Sequence, residues 1–252
     1  MDRRTRTYFI SDLHLGASYI KDPRAHERMA VDFLRGIAGD CRRLILLGDI
    51  LDYWWEYRTV VPRGFTRFFG ALAELADSGT EIIWFKGNHD IWIFDYLPQE
   101  IGLTVHDGAM LTEFDGKRFF LEHGDGVGRL LWSFRRLRAL FRSPTAQRLY
   151  AAIHPRWTIG FAHSWSSHSR KQGGYTPAER AGDNLIDFAT GYNASHPDQK
   201  VDYFIFGHCH ILLEQKLSTG GEIVILGDWI SRFSYAVWDG KNLTTDIFKS
   251  EN

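Results

Sequence analysis

The sequence of 252 residues contains only two cysteines, Cys41 and Cys209, and only seven prolines. Two cysteines cannot form a disulfide framework, so we expect a protein of a reducing compartment, the cytoplasm. No apolar run approaches the roughly 18 to 20 residues of a membrane span. The N-terminal residues lead directly into an expected strand, and we therefore expect no signal peptide. An aromatic content of 15% without low-complexity tracts predicts a folded globular chain.

Acidic residues are absent from one long internal segment. Between Gly126 and Ala178 there is no Asp or Glu, although the formal net charge of the whole chain is only −1. An acidic body with a basic segment set into it predicts a polyanionic partner, namely nucleic acid, an anionic membrane surface or a phosphorylated substrate. The basic residues of the segment are Arg129, Arg135, Arg136, Arg138, Arg142, Arg148, Arg156, Arg170 and Lys171.

Apolar side chains recur at helical spacing within this segment. Leu130, Phe134, Leu137 and Phe141 follow one another at intervals of four, three and four residues with arginines between them, which predicts an amphipathic basic helix. Residues 126–200 interrupt an otherwise regular alternation of strands and helices. We therefore predict one domain, residues 1–252, that carries a basic helical lid inserted at about 126–200.

Short apolar runs alternate with helical segments in the rest of the chain, which predicts a layered α/β core. Seven strands are predicted. They are Tyr8–Ser11, Arg43–Leu47, Glu81–Lys86, Arg118–Glu122, Tyr203–Phe206, Glu222–Leu226 and Ser234–Trp238.

Polar residues follow five of the predicted strands. Ligands bind at the carboxyl ends of strands in open α/β sheets, so five such blocks in chain order predict one shared site, although each block alone is weak evidence. The blocks are Asp12-Leu13-His14, Gly48-Asp49, Gly87-Asn88-His89-Asp90, His123-Gly124-Asp125 and Gly207-His208-Cys209-His210.

These residue types predict a two-metal site. Two divalent cations about 3.5–4 Å apart need a bridging carboxylate and several oxygen and imidazole donors. The Asp12-x-His14 and His208-x-His210 spacings place both side chains on one face of an extended segment. A donor set of oxygen and nitrogen without thiolate suits Mn²⁺, Fe²⁺ or Zn²⁺ better than Ca²⁺. We expect two divalent ions, with Mn²⁺ as the first choice.

The five blocks together resemble the calcineurin-like metallophosphoesterases, in order and over the whole core. The resemblance implies a four-layer α/β/β/α sandwich and hydrolysis at phosphorus assisted by two metal ions. It also implies that Asp12, His14, Asp49 and His210 hold the first ion, and that Asp49, Asn88, His123 and His208 hold the second.

The resemblance also implies two catalytic residues. His89 would hydrogen-bond a phosphoryl oxygen or protonate the leaving group, and Asp90 would hold the other imidazole nitrogen. Asp125, beside His123, is a candidate for orienting that ligand imidazole.

The Gly48–Trp54 block and the basic insert resemble the UDP-2,3-diacylglucosamine diphosphatases of lipid A biosynthesis. This implies hydrolysis of a pyrophosphate to UMP and 2,3-diacylglucosamine 1-phosphate, with the acyl chains in the lid. The expected partners are a nucleotide-linked acylated sugar and the anionic inner-membrane surface, to which a cytoplasmic protein would bind peripherally. The expected substrate-binding residues are Arg129, Arg135, Arg156, Ser169, Arg170 and Lys171.

His89 departs from this narrower group, whose best-known members carry Arg at that position. A histidine can donate a proton to a poor leaving group and an arginine cannot. Another lipid-linked or nucleotide phosphodiesterase or pyrophosphatase is therefore an alternative, and so is a metal-dependent nuclease that tracks phosphates along the basic segment. The strong apolar stripe argues against nucleic acid as a partner. An obligate protein partner is not expected.

Overall fold

The computed structural model describes residues 4–129, 132–154 and 178–249. Two β-sheets lie face to face and helices cover their outer sides. The strands are β1 (Arg6–Ile10), β2 (Cys41–Leu46), β3 (Glu81–Phe85), β4 (Thr104–His106), β5 (Met110–Phe114), β6 (Lys117–Leu121), β7 (Tyr203–Phe206), β8 (Leu212–Lys216), β9 (Glu222–Leu226), β10 (Ser234–Trp238) and β11 (Leu243–Ile247). The helices are α1 (Pro23–Ile37), α2 (Thr66–Asp77), α3 (Tyr96–Ile101), α4 (Trp132–Arg142), α5 (Pro144–Ala151) and α6 (Ala178–Ser195), followed by a 3₁₀ turn, Pro197–Gln199.

Both sheets are mixed. The first has the order β11-β10-β1-β2-β3-β4. Strands β1 to β4 are parallel to one another, β10 is antiparallel to β1, and β11 is antiparallel to β10. The second has the order β5-β6-β7-β9-β8, with parallel inner strands and antiparallel outer ones. Parallel neighbours end at the same edge of a sheet, so the loops that follow them meet there.

Three apolar layers separate the four layers of secondary structure. Tyr8 and Ile10 of β1 face α1 and α2, whereas Phe9 between them packs between the two sheets. On the far side, Leu185 and Ala189 of α6 pack against the second sheet. This arrangement confirms the predicted α/β/β/α sandwich.

All seven predicted strands are present, four of them with ends shifted by one or two residues. Within the interval 126–200, the described residues form α4, α5 and α6, whereas residues 155–177 of the predicted lid lie outside the described part of the chain. Among the described residues, no helix combines the length and the apolar character that crossing a membrane requires.

Candidate metal centre and active site

The five polar blocks lie in the loops that follow β1, β2, β3, β6 and β7. Backbone hydrogen bonds connect these loops: Asp12 N donates to Gly48 O (3.1 Å), His14 N to Asp49 O (2.9 Å) and Gly207 N to His123 O (2.8 Å). Three of the loops belong to the first sheet and two to the second, so the site lies where the edges of both sheets meet.

Left-handed backbone conformations aim the side chains of this site. The φ angles of Asp12, His14, Asp49, His208 and His210 lie between 47° and 66°. Each such conformation costs about 1–3 kcal/mol for a residue other than glycine and persists only where its surroundings enforce it. The predicted extended geometry of Asp12-x-His14 and His208-x-His210 is therefore wrong, although the paired side chains do converge.

Two glycines allow the close approach of these loops. A Cβ atom on Gly207 would lie 2.6 Å from Asp12 Oδ2, and one on Gly87 would clash with the Asp49 carboxylate and amide. Any larger residue at either position would push a carboxylate out of the site.

The side chains expected for the first ion lie together. His14 Nε2 is 3.8 Å from Asp12 Oδ1 and 3.7 Å from Asp49 Oδ2, and His210 Nε2 is 3.5 Å from Asp12 Oδ1. The ligand-capable atoms of Asp12, His14 and His210 all lie within 4.8 Å of one another.

The side chains expected for the second ion share one carboxylate with this group. Asp49 Oδ2, which faces His14, is also 3.3 Å from His123 Nε2. Asp49, His123 and His208 form a second group of ligand-capable atoms within 4.8 Å of one another. Asp49 therefore occupies the position that a bridging carboxylate needs.

Unsatisfied polar atoms show that the site fits metal ions. Asp12 Oδ1, His14 Nε2, Asn88 Oδ1 and His123 Nε2 are buried and have no hydrogen-bond partner among the described residues. Buried polar atoms are rarely left unpaired, and these are the atoms that would bind a cation. The other imidazole nitrogens are engaged, because His14 Nδ1 lies 3.2 Å from Asp52 Oδ1 and His123 Nδ1 lies 2.8 Å from Leu47 O.

The electrostatics agree with an oxygen and imidazole site. Burial opposes ionisation of Asp49, but the imidazoles of His123 and His89 hold the pKa of its carboxyl well below the usual range. Burial raises the pKa of the Cys209 thiol to about 12, which disfavours the thiolate. The groups of ligand-capable atoms found among the described residues do not include the Cys209 sulfur.

His89 lies against the first group of ligands. Its ring is 4.8 Å from that of His14 and its Nδ1 is 3.0 Å from the backbone oxygen of Asp52. A carbonyl can only accept, so Nδ1 carries the proton and Nε2 is left for an incoming ligand. Burial lowers the pKa of His89, which favours the neutral imidazole.

Asp90 does not hold His89, and this part of the prediction is wrong. The Asp90 carboxylate accepts hydrogen bonds from Gly87 N (2.8 Å), Ile50 N (2.9 Å) and Trp84 Nε1 (3.1 Å). It is fully buried and joins the loops that follow β2 and β3. Neighbours in sequence can point in different directions in a tight turn, so Asp90 acts on the backbone of the site.

Asp52 takes the role that the sequence predicted for Asp90, which is to hold the His89 imidazole. It is buried, its carboxylate faces His14 Nδ1, and its carbonyl accepts from His89. Its spacing of three residues from Asp49 is the signal in the sequence that could have identified it.

Asp125 does not orient His123, whose Nδ1 is engaged by Leu47 O. Its carboxylate instead pairs with Arg138 of α4, with 2.8 Å between Asp125 Oδ2 and Arg138 Nε. Arg138 is therefore engaged within the protein, unlike the solvent-facing arginines of the same helix.

Two of the predicted substrate-binding residues are described by the structure. Arg129 is exposed in the loop before α4, with its backbone N–H donating to Asn184 Oδ1 (2.7 Å), and Arg135 is exposed on α4. Arg156, Ser169, Arg170 and Lys171 lie outside the described residues.

Two face-to-face mixed sheets with an Asp, Asn and His site at their common edge are features of a metal-dependent phosphoesterase. Residues 5–212 match the model of the calcineurin-like phosphoesterase family, and the chain belongs to this family.

The chain is 45% identical to a UDP-2,3-diacylglucosamine hydrolase from Porphyromonas gingivalis, over 96% of this chain and 97% of that protein. It is 30% identical to a UDP-2,3-diacylglucosamine hydrolase from Ralstonia nicotianae, over 88% and 83% of the two chains. Among solved structures, the phosphoesterase Yfce from E. coli is similar at a TM-score of 0.45, with 14% identity over 94% of this chain and 90% of that one.

Proposed function

We propose that this protein hydrolyses the pyrophosphate bond of UDP-2,3-diacylglucosamine to UMP and 2,3-diacylglucosamine 1-phosphate. The observation that carries the proposal is the full-length similarity to the hydrolase from P. gingivalis, which extends across both the core and the basic insert. The set of buried and half-buried Asp, Asn and His side chains supports it, because metal-assisted hydrolysis at phosphorus needs such donors.

Asp12, His14, Asp49 and His210 would hold one divalent ion, and Asp49, Asn88, His123 and His208 the other. When bound, the two ions supply Lewis acidity and neutralise the negative charge that develops on the phosphoryl oxygens. The donor set of carboxylate, amide and imidazole is compatible with Mn²⁺, which we propose as the metal, with Fe²⁺ or Zn²⁺ as alternatives.

His89 would act on the substrate through Nε2. The hydrogen bond from Nδ1 to the Asp52 carbonyl holds the ring in one orientation. In that orientation Nε2 can take part in a hydrogen bond to a phosphoryl oxygen or pass a proton to the leaving group. Asp52 would act as a positioning residue that serves His14 and His89 at once.

The lid would bind the acyl chains of the substrate and contact the membrane surface. Phe134, Leu137 and Phe141 of α4 are half-buried, whereas Trp132 and Leu140 remain 69% and 56% exposed.

Leu149 and Ile153, in and just after α5, are also exposed. The guanidinium of Arg136 lies 4.4 Å over the Trp132 ring. Exposed apolar side chains among arginines suit an anionic lipid surface, so we propose peripheral binding to the cytoplasmic face of the inner membrane.

The substrate side of the lid would be basic. Arg129 and Arg135 are exposed, and guanidinium groups suit the phosphate groups of a ligand. We propose that they act with Arg156, Ser169, Arg170 and Lys171 of the same insert.

A product assay tests this function. Protein loaded with Mn²⁺ is incubated with UDP-2,3-diacylglucosamine, with UDP-N-acetylglucosamine, which lacks the two long acyl chains, and with single-stranded DNA, and the products are identified by mass spectrometry. We expect UMP from the acylated substrate at a rate at least about tenfold above the others. The Asp49→Ala variant is the inactive control. Cleavage of DNA without UMP release from the acylated substrate would replace this function by that of a nuclease.

A further inference from the structure

A pair of buried carboxylates lies beside the metal centre without contributing to it. Glu122 and Asp125 flank the His123 ligand position and are 2% and 1% exposed. Both meet a cation from the lid helix. Arg138 Nε lies 2.8 Å from Asp125 Oδ2, and Arg138 Nη2 lies 3.9 Å from Glu122 Oε1.

The lid supplies the charge that these carboxylates require. A buried carboxylate is tolerated when it is paired, and removing its partner leaves an uncompensated charge in the interior. Both arginines that pair with Asp125 belong to α4, since Arg142 Nη1 also approaches it at 3.8 Å. Moving α4 away from the core would therefore leave the buried Asp125 carboxylate, two residues from His123, without these cationic partners.

The loop after His123 is shaped around this contact. A Cβ atom on Gly126 would lie 2.5 Å from Glu122 Oε1 and 2.7 Å from Arg138 Nη2. No larger residue fits there without displacing the arginine or the carboxylate. Gly126 thus leaves the space that the Arg138 guanidinium needs to approach both carboxylates.

Two further contacts hold the C-terminal part of α4 against the body of the protein. Near its C-terminus, Trp92 Nε1 donates to Phe141 O (3.2 Å) and Arg142 Nε pairs with Asp107 Oδ1 (3.1 Å). At its N-terminus, Trp132 is 69% exposed. Arg138 lies between these two ends and makes the shortest contact between the helix and the loop that carries His123, and Arg142 adds a longer contact to the same Asp125 carboxylate.

We propose that Arg138 is a positioning residue that latches α4 onto the loop 122–126 through Asp125, and so places the lid for the acylated substrate. The role in substrate selection rests on the proposed function, whereas the latch itself is a property of the fold. Among the described residues, the ion pairs of Arg138 are to Glu122 and Asp125, which are not among the residues expected to hold the metal ions.

The test compares Arg138→Ala with Arg35→Ala, a matched control in which an exposed helix arginine loses its pairing with Glu74. Amide hydrogen exchange is measured over residues 132–142, together with bound Mn²⁺ and the kinetics on UDP-2,3-diacylglucosamine and on bis(p-nitrophenyl) phosphate. For Arg138→Ala we expect exchange about tenfold faster and a KM for the acylated substrate about tenfold higher. The metal content and the kcat on the small diester should stay within about twofold of wild type, and Arg35→Ala should change none of these quantities.

Two further variants make the assignment specific. Asp125→Asn should accelerate exchange in α4 at least as much as Arg138→Ala does, because it also weakens the approach of Arg142 to Asp125. The double variant should add little to Asp125→Asn alone, because both substitutions remove the contact between Arg138 and Asp125. Arg138→Lys should show slower amide exchange in α4 than Arg138→Ala, because the lysine keeps a positive charge near Asp125. If Arg138→Ala does not fold, Arg138→Lys and Asp125→Asn are measured in its place with the same readouts.

Amide exchange rates over residues 132–142 that stay within twofold of wild type in these variants would overturn the proposed latch. An equal loss of activity on both substrates would also overturn it, since Arg138 would then act on the metal loop and not on the lid. Should wild-type protein fail to hydrolyse the acylated substrate, the proposed function fails, and the exchange data still decide for or against the latch.

Discussion

His14 and His89 depend on one residue through two different groups. The side chain of Asp52 faces His14 Nδ1 at 3.2 Å, whereas its backbone oxygen accepts from His89 Nδ1 at 3.0 Å. The same carboxylate also lies 3.6 Å from His89 Nδ1. Removing it therefore takes away the group that faces His14, the candidate metal ligand, but leaves the carbonyl that accepts the hydrogen bond from His89. Removing the His89 ring leaves the contact between Asp52 and His14 in place.

This separation predicts two distinct phenotypes. Asp52→Ala should lower metal affinity or activity by about 10–100-fold, because His14 loses the group that orients it. His89→Ala should lower kcat by about 10²–10⁴-fold with the metal content intact. Elemental analysis and turnover of a chromogenic phosphodiester distinguish the two losses.

A His89→Ala variant with wild-type kcat would reduce His89 to a structural role. Retained activity in His89→Arg would show that an arginine at this position supports the same reaction. Full Mn²⁺ affinity in Asp52→Ala would disprove the orienting role of the carboxylate.

At the level of elements, α2 begins without a cap of its own. Phe65 precedes the helix and its side chain caps no backbone N–H. Glu27 of α1 takes this role, since its buried carboxylate accepts from Arg67 N (3.0 Å) and Phe68 N (3.3 Å). The cap therefore also ties α1 to α2 across the outer face of the first sheet.

Glu27→Ala should lower the free energy of unfolding by about 0.5–2 kcal/mol, the range found for the loss of an N-terminal cap. Glu27→Gln keeps an acceptor oxygen and should lose less. Urea denaturation measures both, with Glu74→Ala on the exposed side of α2 as control. A Glu27→Ala variant as stable as the control would show that the backbone N–H groups find other partners.

At the level of the whole molecule, the candidate metal centre draws its side chains from both sheets. Asp12 and Asp49 come from the first sheet and His123, His208 and His210 from the second. Ligands from both sheets assemble only in the folded chain, so metal binding should stabilise the native state.

Free Mn²⁺ at 100 times its dissociation constant should add about 2.7 kcal/mol to the free energy of unfolding. We therefore expect Tm to fall on chelation and to recover when Mn²⁺ is restored. Scanning calorimetry measures this shift, and Asp49→Ala should show a much smaller one. A Tm independent of metal in wild-type protein would contradict the proposed two-metal site.

The sequence pattern predicted strands in the interior better than those at the edges. The seven predicted strands are the inner strands of the two sheets, and the four that were missed, β4, β5, β8 and β11, are the sheet edges. The side chains of these edge strands are half-buried or exposed, apart from the buried Phe114 at the end of β5, so the strands lack the apolar run that marks a buried strand. Their pairing depends on neighbours that are distant in sequence.

The sequence by itself determined the layered α/β class, the inner strands and the five blocks that supply the candidate ligands, because each is a local pattern of hydrophobicity or residue type. The tertiary structure alone decided which groups these side chains meet. His89 contacts Asp52, 37 residues away, and not its neighbour Asp90, and Arg138 pairs with the buried Asp125 carboxylate. Left-handed turns and the junction of the two sheets determine which groups come into contact. Both depend on packing between residues that are distant in sequence, so these contacts cannot be read from the local spacing of residues.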